Sequence, residues 1–145
     1  MHLMTMMLAC TLSQPPEVPL SEQARRGRGS YLGTCATCHQ PDGTGLKGAF
    51  PPLAGSEWVT GPPTVPIRIV LSGLQGPITV AGDAYSSVML SHRESLSDDQ
   101  IADILTYVRT AWGNASPPVT TAEVAAVRAE TADRAAAWTA EELNR

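Results

Sequence analysis

Large side chains are scarce in this chain of 145 residues: aromatics make up 5%, with a single Phe. A chain of this length forms one domain and is long enough to bury a core. With so few aromatics, something other than side chains is expected to fill its centre. Cysteine is scarce too. Two of the three cysteines lie in one short motif and the third is Cys10, which excludes a disulfide scaffold. Positive charge is in deficit: 10 Lys and Arg against 14 Asp and Glu leave a formal charge of −4, and Lys47 is the sole lysine. A phosphate-tracking surface, and with it a nucleic-acid partner, is excluded. Long apolar runs are missing as well, since the Met-rich stretch from Met1 to Leu12 is too short to span a bilayer. In excess are Gly and Pro, twelve of each, which favour long ordered loops.

The one dense constellation is Cys35-Ala36-Thr37-Cys38-His39. C-x-x-C-H is the attachment pattern of covalent haem. Each thiol adds across one haem vinyl group, and the following His then stands beneath the iron. A shuffled chain of this composition would carry the motif with a probability of only about 0.001. The competing readings are a redox dithiol and half of a zinc site. Zinc would need further Cys or His ligands, and only His2, Cys10 and His92 remain. A redox dithiol would need a βαβ setting, which the pattern does not offer.

A haem iron with a second protein ligand takes Met or His. Met1, Met4, Met6 and Met7 all belong to the leader, so Met89 is the only thioether in the body of the chain. His92 competes, but its neighbours Arg93 and Glu94 give it the look of a surface-loop residue. Three further residues carry open alternatives. Arg68, the only Arg between the haem motif and Met89, either neutralises a haem propionate or is a solvated helix residue. Trp58 either donates its indole N–H to a propionate or packs on the haem. Tyr85 bonds a propionate or backbone, or does neither.

Elements can be placed around these residues. Ser21 caps a first helix whose Leu20, Ala24, Gly27 and Tyr31 share a face and which runs into the haem motif. Residues 40–63 form a long Gly/Pro-rich loop, plausible in a compact domain only if it wraps something. Val65 to Ser72 is a short helix with Pro66 near its start and Gly73 past its end, and a second loop then delivers Met89. Ser97 and Gln100 make a capping box for the last core helix, with Leu96 and Ile101 as its staple. Its buried stripe runs Ile101, Ile104, Leu105, Val108, Trp112, and Gly113-Asn114 stops it. Beyond Pro117-Pro118, Thr120 and Glu123 open an Ala-rich helix to about Ala136, after which Trp138 stands alone in a polar tail.

In this order the motifs resemble those of the class I cytochromes c, over Leu20 to Asn114. Gly27 and Tyr31 resemble the family's first-helix Gly-x-x-x-aromatic. Cys35, Cys38 and His39 resemble its attachment site, Met89 its axial Met, and Ile104 to Tyr107 its last-helix apolar-x-x-Tyr. Pro51-Pro52-Leu53 resembles its Pro-x-Leu, which implies that the Pro51 carbonyl accepts the His39 ring N–H and that Leu53 lies by the haem. The resemblance implies an all-α fold of about four short helices wrapped round one covalent haem c, with His39 and Met89 as its iron ligands. The chain departs from the pattern in carrying Leu90 where Pro often follows the axial Met, and in lacking the lysine ring of mitochondrial-type members.

The implied organisation is a leader and Pro-rich tether over 1–19, a cytochrome domain over 20–114 and a helical extension over 115–145. The implied function is single-electron transfer by a carrier that is not itself an enzyme. It would act as a shuttle or as a subunit bound to a dehydrogenase, reductase or terminal oxidase, with the extension as docking candidate. The alternative is a gas-binding or peroxidase-like haem protein with a labile Met89. The family implies export to a bacterial periplasm. Met7-Leu8-Ala9-Cys10 resembles a lipoprotein cleavage box, which would make Cys10 a lipid anchor; the other reading is a damaged or misassigned start.

Overall fold

The computed structural model describes residues 19–144, so the leader and Cys10 lie outside the described residues. The first helix, α1 (Glu22–Thr34), starts where the Ser21 hydroxyl accepts the Ala24 N–H at 3.1 Å. One further turn, α2 (Ala36–His39), carries the haem motif and stops at Gln40, whose φ of 63° leaves the helical region. Then come α3 (Glu57–Thr60) and α4 (Thr64–Ser72). A hairpin of β1 (Ile78–Val80) and β2 (Asp83–Tyr85) follows, paired Val80 to Asp83 across the two-residue turn Ala81-Gly82. The main helix, α5 (Asp98–Thr110), has the expected capping box of Ser97 and Gln100. Last are α6 (Thr121–Glu130) and α7 (Ala140–Leu143).

The frame is the crossing of α1 over α5. Gly27 makes it possible: a Cβ there would sit 1.8 Å from the Asp103 carbonyl oxygen. Arg26 grips the Asp103 carboxylate with two bonds of 2.9 and 3.1 Å beside the contact. At the far end of the crossing, the rings of Tyr31, Tyr107 and Trp112 pack mutually tilted, with centroids 5.2–5.4 Å apart. Ala24, Ile101, Ile104, Leu105 and Val108 belong to the same cluster. A second cluster gathers Ile69, Leu74, Ile78, Val80, Tyr85 and Leu143 between α4, the hairpin and α7.

Five local expectations are corrected. The loop over 40–63 contains α3, and the loop before Met89 contains the hairpin. Trp112 lies beyond the end of α5 with φ of 54°, and its ring covers Gly43. The tail helix ends at Glu130 rather than near Ala136: the Thr131 hydroxyl turns back onto the Val127 carbonyl and is itself held by Arg93 at 2.8 Å. Trp138 is not alone. It is half-buried against the second cluster, and its backbone pairs with Gly73 and Gln75. Val119, Val124 and Val127 are buried too, so the apolar side of the extension is used within the molecule.

Candidate functional site

Between α1, α4, α5 and the loop after the haem motif lies a cavity with almost wholly apolar walls. Cys35, His39, Pro51, Pro52, Leu53, Trp58 and Met89 line it, together with Ile69 and Val70 of α4 and Ile104, Leu105 and Val108 of α5. Ser56, buried beside α3, lines it as well.

Each functional side chain has a local reason for its place. Tyr31, fully buried on α1, donates its hydroxyl to the Gln40 carbonyl at 2.6 Å and so pins the left-handed residue that turns the chain away after His39. The His39 ring donates from Nδ1 to the Pro51 carbonyl at 2.9 Å. That bond fixes the ring plane and leaves Nε2 as the proton-free nitrogen. Burial pushes His39 below the ordinary imidazole value, the Pro51 carbonyl pulling the other way. The neutral form of the ring is favoured. Burial, helped by neighbouring Cys38, pushes the Cys35 thiol up to about 11. Both thiols are free, and a protonated, half-buried thiol is not a poised redox dithiol.

Met89 lines the same cavity as His39, whereas His92 does not and instead donates its backbone N–H to Val70. Leu53 and Pro51 are on the wall with them. Trp58 is on the wall as well, but its indole N–H donates to the Thr79 carbonyl at 2.8 Å, which commits it to packing rather than to a propionate. Arg68 is placed elsewhere: it bonds the Glu130 carboxylate at 2.7 Å and stands over the Trp138 ring, because the extension covers that side of α4. Tyr85 is likewise off the wall, buried in the hairpin cluster through its pairing with Ile78.

The residues present fit a covalently held haem. The apolar slot is lined by the Cys35 thiol, a ring nitrogen with no proton and a thioether, and the second free thiol, Cys38, belongs to the same short helix as His39. They do not fit zinc, since among the described residues no group of three or more His, Cys, Asp or Glu is placed to hold a metal ion.

Sequence reasoning missed Asn114. Buried, it donates from Nδ2 to the Leu53 and Val108 carbonyls at 3.0 and 2.7 Å and accepts the Gly55 N–H at 2.9 Å, holding the Pro51–Leu53 wall to the end of α5. Its only signal was its place after Gly113, which reads as a helix stop. Arg109 was missed as well. It is buried, and its guanidinium donates to the Gly61 and Pro117 carbonyls at 2.9 Å and to that of Val59.

A family model described as Cytochrome c matches residues 24–112. The chain is 44% identical over 105 residues to cytochrome c-552 of Thermus thermophilus, covering 66% of this chain and 79% of that protein. It is 41% identical over 105 residues to the cytochrome c subunit of a quinone alcohol dehydrogenase from Gluconacetobacter polyoxogenes, covering 70% of this chain. It is 34% identical over 113 residues to the gluconate 2-dehydrogenase cytochrome c subunit of Pantoea cypripedii, covering 74% of this chain. The matched part spans only 22% and 25% of these two subunits.

Proposed function

The chain belongs to the cytochrome c family, and from that premise we propose that it passes single electrons through one haem c whose iron is held between His39 and Met89. That it is an electron carrier working with redox partners through covalently bound haem c, and not an enzyme by itself, follows from the family. The axial pair and the single haem are our reading. One observation carries it: His39, with Nδ1 committed to Pro51, and Met89 line one apolar cavity beside Cys35.

When bound, the haem supplies a one-electron Fe(III)/Fe(II) couple. Cys35 and Cys38 tether it. His39 offers Nε2, and the Pro51 carbonyl orients the ring and raises its basicity. Met89 offers a thioether, which favours reduced iron and raises the potential. Ile69, Val70, Ile104, Leu105 and Val108 exclude water from the slot. Exposed Val88 and Leu90 flank Met89. With Lys47 the sole lysine, docking through this apolar rim fits better than lysine steering.

The named dehydrogenase subunits favour a role beside a periplasmic dehydrogenase, and attachment of haem c implies export. Among the described residues, no helix is long and apolar enough to cross a membrane. The lipoprotein reading of Met7–Cys10 would make Cys10 a lipid anchor, which mass spectrometry of the native N-terminus tests; an unmodified Cys10 refutes it.

The oxidised protein should show the weak near-infrared sulfur-to-iron band, and Met89→Ala should abolish it and admit carbon monoxide to the reduced form. Lack of the band in the unmodified protein rules out Met89 ligation. Ready binding of carbon monoxide by the unmodified protein would favour the gas-binding or peroxidase-like reading.

A further inference from the structure

Met89 is held by its backbone as well as by its place in the cavity. Its N–H donates to the Leu74 carbonyl at 2.9 Å, and its carbonyl accepts the Leu74 N–H at 3.1 Å. Leu74 thus takes both backbone groups of Met89. The approach is close: a Cβ on Gly73 would lie 2.5 Å from the Met89 carbonyl oxygen.

The other edge of the same segment is also taken. The Trp138 N–H donates to the Gly73 carbonyl at 3.0 Å, and the Trp138 carbonyl accepts the Gln75 N–H at 2.9 Å. Residues 73–75 are therefore the middle of a three-strand stitch, with Met89 antiparallel on one side and Trp138 parallel on the other. Among the described residues, Leu74 is the one residue bridged to both.

Trp138 is fixed in turn. Its side chain packs on the cluster that holds Ile69 and Leu74, which Met89 also touches. The Arg134 guanidinium lies 3.4 Å from its ring centroid and is held by Glu142 at 2.9 Å; Arg68 stands 5.5 Å away, bonded to Glu130. The indole N–H is buried with no hydrogen-bond partner, so the ring is kept for its packing and its face rather than for its N–H.

From this we propose that Trp138 is a positioning residue for Met89: it locks residues 73–75 from behind, so that the C-terminal segment sets how firmly the thioether is held. The proposal rests on the reading of Met89 as iron ligand. A displaced Met89 must shed or drag its bonds to Leu74, and the middle strand gives way more readily once its other edge is free.

The test uses the full-length oxidised holoprotein. Trp138→Ala should weaken the near-infrared band, lower the potential and tighten imidazole binding, which must displace Met89, by about tenfold or more. Trp138→Phe keeps a packed aromatic ring and loses no hydrogen bond, so it should restore all three readouts. Ile101→Val, a buried truncation in α5 away from the cavity lining, controls for general loss of stability and should leave them unmoved. If Trp138→Ala does not accumulate, hydrogen exchange in the unmodified protein decides: the amides of Gln75, Trp138 and Met89 should open as one unit. A normal band with unchanged imidazole affinity in Trp138→Ala overturns the proposal, as does exchange of Met89 independent of Trp138. Absence of the band in the unmodified protein instead overturns Met89 ligation, and the proposal with it.

Discussion

The buried Asn114 amide donates to the Leu53 carbonyl and accepts the Gly55 N–H, and a third bond ties it to the Val108 carbonyl of α5; it thereby holds the loop that carries Pro51, and through Pro51 the ring of His39. Asn114→Ala leaves the Leu53 carbonyl and the Gly55 N–H without that partner and should cost about 2–3 kcal/mol of unfolding free energy, read by denaturant titration. Asn114→Asp should be worse at neutral pH, because an ionised carboxylate would face two carbonyl oxygens with nothing to donate. The introduced carboxyl would be raised in the folded state. Its contribution would then be intact below the unfolded value of about 4 and lost as pH rises. Thermal midpoints at pH 4 and pH 7 check this; a variant hurt equally at both would refute the electrostatic account. That His39 and Met89 line one cavity was legible residue by residue, because a motif and an inventory with one body Met leave little choice. The places of Arg68 and Tyr85 were not. Arg68 takes its partner Glu130 from 62 residues away, a distance at which sequence spacing carries no information.

The helices α1 and α5 were legible because both announce their caps and their buried faces. Gly27→Ala should force the two backbones apart at Asp103 and cost about 3 kcal/mol, or prevent holoprotein accumulating. Wild-type stability in that variant would show that the two backbones do not meet at Gly27. The hairpin was not legible. Its turn places Ala81 at φ 48° and Gly82 at φ 86°, a geometry that Asn-Gly signals and Ala-Gly does not. Glu57 compensates by accepting the Ala81 N–H with both carboxylate oxygens at 2.9 and 3.2 Å, a contact between α3 and the hairpin that neither segment forecasts alone. Ala81→Asn should relieve the strained φ and stabilise the protein by about 0.5–1 kcal/mol, measured as a raised thermal midpoint. A lowered midpoint would mean that the turn is not of this type.

Over the whole molecule, the last thirty residues act as a strap rather than a loose tail. Their helix starts are set by two capping boxes, of which Thr120 with Glu123 was readable in advance. Where they dock was not readable, because the apolar face of α6 is slight and the anchoring at Trp138 joins backbone bonds to a ring packed on residues distant in sequence. The same boxes make the strap sensitive to acid. The Thr120 backbone N–H, with help from its hydroxyl, holds Glu123 below the usual carboxylate range. The Thr139 backbone N–H, then Arg134, does the same for Glu142. A carboxyl depressed in the folded state stabilises it above the unfolded value, and that contribution is lost as pH falls. Asp42, lowered by the Thr44 hydroxyl and N–H, is the counterpart on the haem-motif side, but it closes only a local turn. Acidification below about pH 4.5 should therefore release the strap before the α1–α5 frame. Amide exchange measured from pH 6 to pH 3.5 should show Gln75 and Trp138 losing protection while Tyr107 keeps it. Replacing both glutamates with Gln, which retains the cap geometry, should flatten that difference. Simultaneous loss of protection across the molecule would mean that strap and frame unfold as one.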